Sequence, residues 1–438
     1  MAQPIEALRN AFKIPELKQR IIFVLIMLAI YRIGAHVPTP GVDGVALAER
    51  VREAGGLLGF YDLFSGGAFA QATIFALGIM PYISASIIMQ LLTAVVPTLE
   101  KLAKEGEEGR KKITEYTRYG TIGLCIVQSI GLSFYLQQQG AEVVPNPGLG
   151  FTLMCILSFT TGSAFVMWLG EQISERGIGN GISLIIFISI VSGVPTALNN
   201  LGQLLNAQQL NVLQVLFLIV VLVLVTAFVV MVTQGQRRIP VQYPRQVKGR
   251  RVFSGARNYL PLRVNQAGVI PIIFATSILM LPNMIVGAVD LPVLTAFFQD
   301  WHEGWIYNVV YVALIMFFCF FYTAITFNPV EMADNMKKYG GVIMGVRPGK
   351  ATAEYLQHVM TRITLVGATF LAGVALLPQA VYQLMGIYDW HIASFFGGTS
   401  LLILVGVGLD TVRHIEQHLV MRNYEGFMKG RRMRGRRQ

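Results

Sequence analysis

Charge is what this chain has least of. Of 438 residues only 13% are Asp, Glu, Lys or Arg, while 54% are hydrophobic; a soluble domain carries about a quarter charged residues. A water-soluble globular protein is thereby excluded. Cysteine is nearly absent. Cys125, Cys155 and Cys319 all fall inside apolar runs, which argues against a disulfide framework or a metal centre and leaves packing roles. Recognisable catalytic motifs are missing too: there is no Walker A sequence, no His-Glu-x-x-His and no Gly-x-Ser-x-Gly elbow. Gly177, Gly179 and Gly181 lie between two apolar runs rather than after a strand, so they read as a tight turn and not as a dinucleotide loop. Ionisable residues avoid the middle of the apolar runs. Asp410 sits toward the cytoplasmic end of the last run, and Arg32 close to the end of the first, from where it can snorkel outward. A proton- or sodium-coupled transporter needs such groups at mid-membrane, and an intramembrane enzyme needs paired acids or a nucleophile with its base. No enzyme activity, cofactor or metal is expected.

What the chain does have is ten apolar runs, each near the ~20 residues a helix needs to cross a bilayer. They lie near residues 21–36, 71–96, 119–136, 151–170, 182–196, 212–233, 267–286, 305–327, 360–379 and 399–418. The first follows a mixed-charge segment and is followed by further spans, so it is expected to remain as a span. The connections alternate in Lys/Arg content. Residues 97–118, 171–181, 235–265 and 328–357 carry cations, whereas 137–150, 198–211, 288–304 and 380–398 carry none. Cations near spans stay inside, so the alternation fixes the orientation. Ten crossings place both termini on one side, and both are basic, which predicts two cytoplasmic ends. Orientation alone accounts for most of the net charge of +11.

Residues 37–70, on the outer side, break the pattern. They contain Leu57, Leu58, Phe60, Tyr61, Leu63 and Phe64, then Ser65, Gly66 and Gly67. This stretch is too short to span. It reads either as a buried re-entrant half-helix, with irregular backbone at Gly66 and Gly67 sheltered by protein, or as an amphipathic helix on the outer leaflet. An internal echo links Gly78, Ile79, Met80, Pro81 in the second span with Gly268, Val269, Ile270, Pro271 in the seventh. Five spans apart, the two blocks cross in opposite directions, as in an inverted repeat with Gly/Pro-interrupted helices at the interface. Proline inside a span is expected to remove a hydrogen bond and bend the helix. The echo divides the chain into two five-span halves joined near residues 199–211.

Without ion ligands, a path through the protein would work by fit and wetting. Ile79 and Ile83, and likewise Ile182 and Ile186, share a helix face at i,i+4, and Ile273 follows the echo in the seventh span. Branched aliphatic residues gathered at one constriction gate by excluding water; isoleucine stripes also simply face lipid or neighbouring helices. The loops 235–265 and 328–357 are longer than helix connections require. Their cations suit anionic lipid or an anionic or RNA-bearing partner.

The chain closely resembles the SecY family, the channel subunits of the bacterial Sec protein translocase. The matching blocks are residues 74–86, 168–172, 175–183, 327–329, 346–349 and 396–403. The resemblance implies an all-α polytopic membrane protein with ten transmembrane helices in two inverted pseudosymmetric halves around an hourglass pore. It implies a pore ring of Ile79, Ile83, Ile182, Ile186, Ile273 and Ile403, and a plug formed by Leu57, Phe60, Leu63, Phe64, Gly66 and Gly67. A lateral gate would open between the second/third and seventh/eighth spans, where Gln90 and Asn265 match polar gate positions. Arg238 and Arg347 match cytoplasmic loop tips that contact a motor or the ribosome, with Arg250 and Arg251 beside them. The organisation expected is 1–205 for the first half, with the plug near 57–67, 206–420 for the second, and 421–438 as a basic cytoplasmic tail. The implied function is passage of unfolded secretory polypeptides across the bacterial plasma (inner) membrane, with sideways release of apolar segments into lipid. Implied partners are the small subunits SecE and SecG, the SecA motor ATPase, the ribosome, signal peptides with unfolded preproteins, and anionic lipids. The alternative from another class is a secondary transporter of a small solute.

Overall fold

The computed structural model describes residues 12, 14–54, 56–208, 210–243, 246–248, 251–253, 257–288, 305–385 and 398–431. A helix lies on each of the ten expected spans. In order these are α1 (Pro15–Gly34), α4 (Met80–Val95), α6 (Glu107–Gln138), α7 (Leu149–Arg176), α8 (Gly181–Asn206), α9 (Val212–Gln234), α10 (Ile270–Ala288), α11 (Trp305–Thr326), α13 (Lys350–Met385) and α14 (Gly398–Arg431). Two short outer helices, α2 (Gly44–Ala54) and α3 (Gly56–Ser65), precede α4, and α5 (Pro97–Lys104) and α12 (Pro329–Lys338) lie in cation-bearing connections. Several helices run past the apolar runs at their charged ends, α6 and α13 at the start and α14 at the finish. Hydropathy marks where lipid ends, whereas backbone hydrogen bonding continues into water.

Local chemistry accounts for the helix boundaries. Asn180 accepts from the Ile182 and Ser183 amides and starts α8; Asn328 does the same for Val330 and Glu331 at α12. Val96 before Pro97 is extended, as pre-proline residues must be, and α5 leaves α4 at 99°. Only 11% of the apolar window of α9 is buried, which places it at the periphery with apolar side chains on all sides.

The second span differs from expectation. Its helix begins only at Met80, and residues 66–79 form consecutive turns. Gly66, Gly67 and Gly78 have positive φ, conformations that glycine adopts without strain. This irregular stretch is buried: Ala68, Phe69, Ala72, Phe75, Ala76 and Leu77 belong to the core. Its backbone is paired, as membrane depth demands, through Ile74 N–H to Val37 O, Thr39 N–H to Ala72 O and Thr73 N–H to Ala68 O. On α7, Gly162 permits the approach; a Cβ there would stand 1.9 Å from the Ile74 carbonyl oxygen.

The prolines of the internal echo also behave differently. Pro81 and Pro271 are the second residues of α4 and α10. In a first turn no intrahelical bond is lost, so these prolines start helices rather than kink them. Gly78 and Gly268 both have positive φ, +56° and +66°, so the two blocks share a backbone device as well as a sequence.

One large apolar cluster joins helices of both halves. A second lies around the cation-bearing connections 235–265 and 328–357. There β1 (Gln236–Gln242) pairs antiparallel with β4 (Arg257–Arg263) and with β5 (Val342–Ile343), while β2 (Gln246–Lys248) pairs with β3 (Arg251–Phe253). Ile239, Val241, Leu262, Ile343, Leu356 and Met360 form the centre of this second cluster. The two basic loops and the start of α13 are therefore one folded unit.

Candidate functional site

Four helices bring the six isoleucines into the large apolar cluster. Ile79, immediately before α4, Ile83 in α4, Ile186 in α8, Ile273 in α10 and Ile403 in α14 are 0–5% exposed; Ile182 is half-buried against the same cluster. Five of the six are thus enclosed by protein. Ile182 also leans toward α7, where a Cβ on Gly170 would lie 3.3 Å from its Cγ1. A set of aliphatic groups drawn from α4, α8, α10 and α14 offers no hydrogen bonds of its own, and dispersion alone holds its members together.

The short outer helix α3 lies inside the protein, which decides between a buried segment and one on the outer leaflet. Tyr61, Asp62, Phe64 and Ser65 are buried, and Phe64 and Leu63 pack in the cluster that holds the isoleucines. The backbones of Leu57 and Phe60 belong to α3; their side chains lie outside the described residues. Contacts at the end of α3 reach the isoleucine-bearing segments on two sides. Tyr61 Oη donates to Leu77 O at 2.9 Å, two residues before Ile79. A Cβ on Gly66 would come 3.0 Å from Ser189 Cα, one turn beyond Ile186. Leu63 Cδ1 lies 3.7 Å from the Cβ position of Gly193. Helix α3 thus lies beside the part of α8 that follows Ile186.

Sequence reasoning missed the groups that hold this end. Arg32 does not snorkel outward; its Nη1 donates to Gly66 O at 2.9 Å. Tyr31 Oη lies 3.1 Å from Ser65 O and 2.8 Å from Ser189 Oγ. Asp62 Oδ1 accepts from the Ala70 amide at 2.8 Å, and Ser65 Oγ from the Phe69 amide at 3.0 Å, which shapes the turn after α3. The sequence signal was a polar pair, Tyr31 and Arg32, at the end of an apolar run. Nothing local names partners more than thirty residues away.

The expected gate position Gln90 lies in α4, and Asn265 lies between β4 and α10, with its Cα 3.8 Å from the Cβ position of Gly367 in α13. Helix α10 packs against both α4 and α6. Gln90 Nε2 donates to Ser86 Oγ at 3.2 Å, and buried Asn265 Nδ2 donates to Gly268 O at 3.0 Å. Each is engaged within its own segment.

In the connections, Arg238 and Arg347 are exposed. Arg238 lies within β1, opposite Pro261, and not at a loop tip; Arg250 lies outside the described residues, as does the side chain of Arg251 on β3. Arg347 occupies the turn before α13, its carbonyl accepting from Thr352 Oγ1 at 2.8 Å. The register Val241↔Ile343 sets Arg238 toward the end of the sheet from which the chain continues to Arg347. Two exposed cations more than a hundred residues apart in sequence thus share one end of this folded unit.

Residues 73–412 match the SecY family model. The chain is 46% identical to the protein translocase subunit SecY of Streptomyces galbus, over 97% of this chain and 100% of that one. It is 46% identical to the SecY of Escherichia coli strain K12, over 96% of each. Among solved structures, a protein-conducting channel aligns with a TM-score of 0.64 at 18% identity, over 92% of both chains. A SecY protein described for a plug domain that stabilises the closed state aligns at 0.63 and 19% identity, again over 92% of both. Sec61 in a canine ribosome–channel complex aligns at 0.61 and 17%, with the same coverage.

Proposed function

The chain belongs to the SecY family of protein-translocase channel subunits, and from that premise we propose how its own residues conduct a polypeptide. An unfolded chain cannot cross bare lipid. Each charged residue costs at least ~2.5–3.5 kcal/mol at the bilayer centre, and each unpaired backbone group adds several more. A wettable conduit is required, and at rest it must not leak. Ile79, Ile83, Ile182, Ile186, Ile273 and Ile403 form the constriction: closed, they exclude water, and they adapt to any passing residue without specific bonds. Helix α3, with Gly66 and Gly67 as its hinge, plugs the outer side. The seam of α4 and α6 against α10 and α11, with Gln90 and Asn265 on its faces, opens sideways for apolar segments. The observation that carries this reading is the burial of aliphatic side chains from four helices in one cluster, with α3 against two of their segments. The solute-transporter alternative finds no support among the relatives.

The halves are assigned to 1–205 and 206–420, with 421–438 as a cytoplasmic tail whose cations face anionic lipid. Both termini lie in the cytoplasm and the membrane is the bacterial plasma membrane. Arg238 and Arg347, with Arg250 and Arg251, receive the SecA motor or the ribosome, SecE and SecG complete the membrane complex, and signal peptides enter at the seam. The test is to stall a secretory chain in the channel with single cysteines at Ile83→Cys or Ile273→Cys, and at Leu224→Cys on the lipid-facing surface of α9. Crosslinks to the first two and not the third are expected; equal crosslinking at all three refutes the constriction.

A further inference from the structure

We infer that Tyr31 and Arg32 form a polar latch that holds the plug, and that Ser189 couples this latch to the constriction; the inference rests on the plug reading above. The apolar contacts of α3 slide past one another at little cost. The directional contacts from α1 and α8 converge on the carbonyls at its end. Tyr31, 1% exposed, places its hydroxyl between Ser65 O at 3.1 Å and Ser189 Oγ at 2.8 Å. Arg32 Nη1 donates to Gly66 O at 2.9 Å. These carbonyls end α3, where unpaired oxygens and the negative end of the helix dipole favour a cation. Ser192 Oγ reaches the same Gly66 carbonyl at 3.5 Å.

Ser189 gives the latch its second function. Tyr31 has one proton and donates it to Ser65 O, so Ser189 Oγ, which also lies 2.9 Å from Ile185 O, donates to Tyr31 Oη and keeps that proton directed at the plug. Ser189 follows Ile186 by one helical turn. A polypeptide that displaces Ile186 therefore drags Ser189 away from Tyr31 and weakens the hold on Ser65. Entry at the constriction and release of the plug become one event. Tyr31, Arg32 and Ser189 are positioning residues: none meets the passing chain while the plug is seated.

The test uses the complete channel complex in liposomes, with resting ion leak and preprotein translocation as readouts. Tyr31→Phe removes one hydroxyl and keeps the ring; Arg32→Gln removes the charge. Each is expected to raise the resting leak by about tenfold, the worth of one buried or charge-assisted hydrogen bond. The effects of Tyr31→Phe and Ser189→Ala are expected to be non-additive, because one bond joins them. The same variants are then placed with Leu63→Cys and Gly193→Cys, and the pair is joined by a short thiol crosslinker. Joining should return the leak of Tyr31→Phe and Arg32→Gln to that of the parent. A leak that persists when the plug is pinned, or no leak before pinning, overturns the latch. If pinning the parent leaves translocation unimpaired, the plug reading itself falls; if pinning blocks translocation and Tyr31→Phe does not leak, the latch alone falls.

Discussion

Gly66 and Gly67 are adjacent, both have positive φ, and they differ in one respect that permits a sharp prediction. Gly67, at φ +88°, has nothing within 4 Å of the place a Cβ would occupy. Gly66, at φ +69°, has Ser189 Cα at 3.0 Å and Arg32 Nη1 at 3.2 Å. Alanine at Gly67 meets only the left-handed backbone penalty, about 1–2 kcal/mol, and that strain is relieved when the plug leaves. At ~1.4 kcal/mol per decade, the released population rises by roughly 5–30-fold. Alanine at Gly66 bears the same penalty plus overpacking of about 1–3 kcal/mol, since Ser189 Cα is backbone and cannot turn aside as the arginine can. Its released population should exceed that of Gly67→Ala by roughly another five-fold or more. The assay is resting ion conductance of reconstituted channels in planar bilayers, with thermal unfolding in detergent to show that both variants are folded. A Gly67→Ala leak equal to or larger than that of Gly66→Ala refutes the claim that the close approach to α8 seats the plug.

Replacing Ile79, Ile83, Ile186, Ile273 and Ile403 together by serine should raise resting conductance in the same assay, because hydroxyl-bearing walls wet where branched aliphatic ones do not; unchanged conductance would count against the ring. Charge reversal of Arg238 and Arg347 together to glutamate should weaken motor- or ribosome-driven translocation while the channel still inserts, measured by in vitro translocation beside a membrane-extraction assay; normal secretion would remove these residues from the docking surface. On stability, Gly162→Ala forces the Ile74 carbonyl away and should lower the detergent melting temperature, at a cost of about 1–3 kcal/mol. Gly123→Ala in α6, where a Cβ meets nothing within 4 Å, should be neutral or stabilising by up to about 1 kcal/mol.

The ten spans were legible because lipid imposes length and hydropathy. Strand formation in the 235–265 loop was legible in principle and went unread: Ile239 and Val241 alternate with Arg238, Pro240 and Gln242, the period of a half-buried strand, and burial follows it. The irregular residues 66–79 were hidden by their own composition. Phe69, Ile74, Phe75 and Leu77 are as apolar as any helix requires, and hydropathy cannot tell a buried turn from a buried helix. Only the spacing of Gly66, Gly67 and Gly78 before Pro81 marked the break. Arg32 was misjudged because snorkelling is the rule for an isolated helix, and the carbonyl that captures it belongs to a segment 34 residues away.

The paired device at Gly78 and Gly268 explains why the two halves diverge in function while sharing a fold. Each half begins its central helix with a glycine at positive φ and a proline in the first turn, so the chain enters that helix through a bend that no ordinary residue would hold. What precedes it differs. In the first half the bend follows α3, and the preceding segment folds back into the protein, with Leu63 and Phe64 turned inward. In the second half it follows β4, and the preceding segment is an antiparallel pair that carries Arg237, Arg238, Arg257 and Arg263. Equivalent positions in the two halves thus hold one apolar and one basic insertion. On the function proposed above, the first seals the conduit and the second receives partners, and the composition of each suits that use.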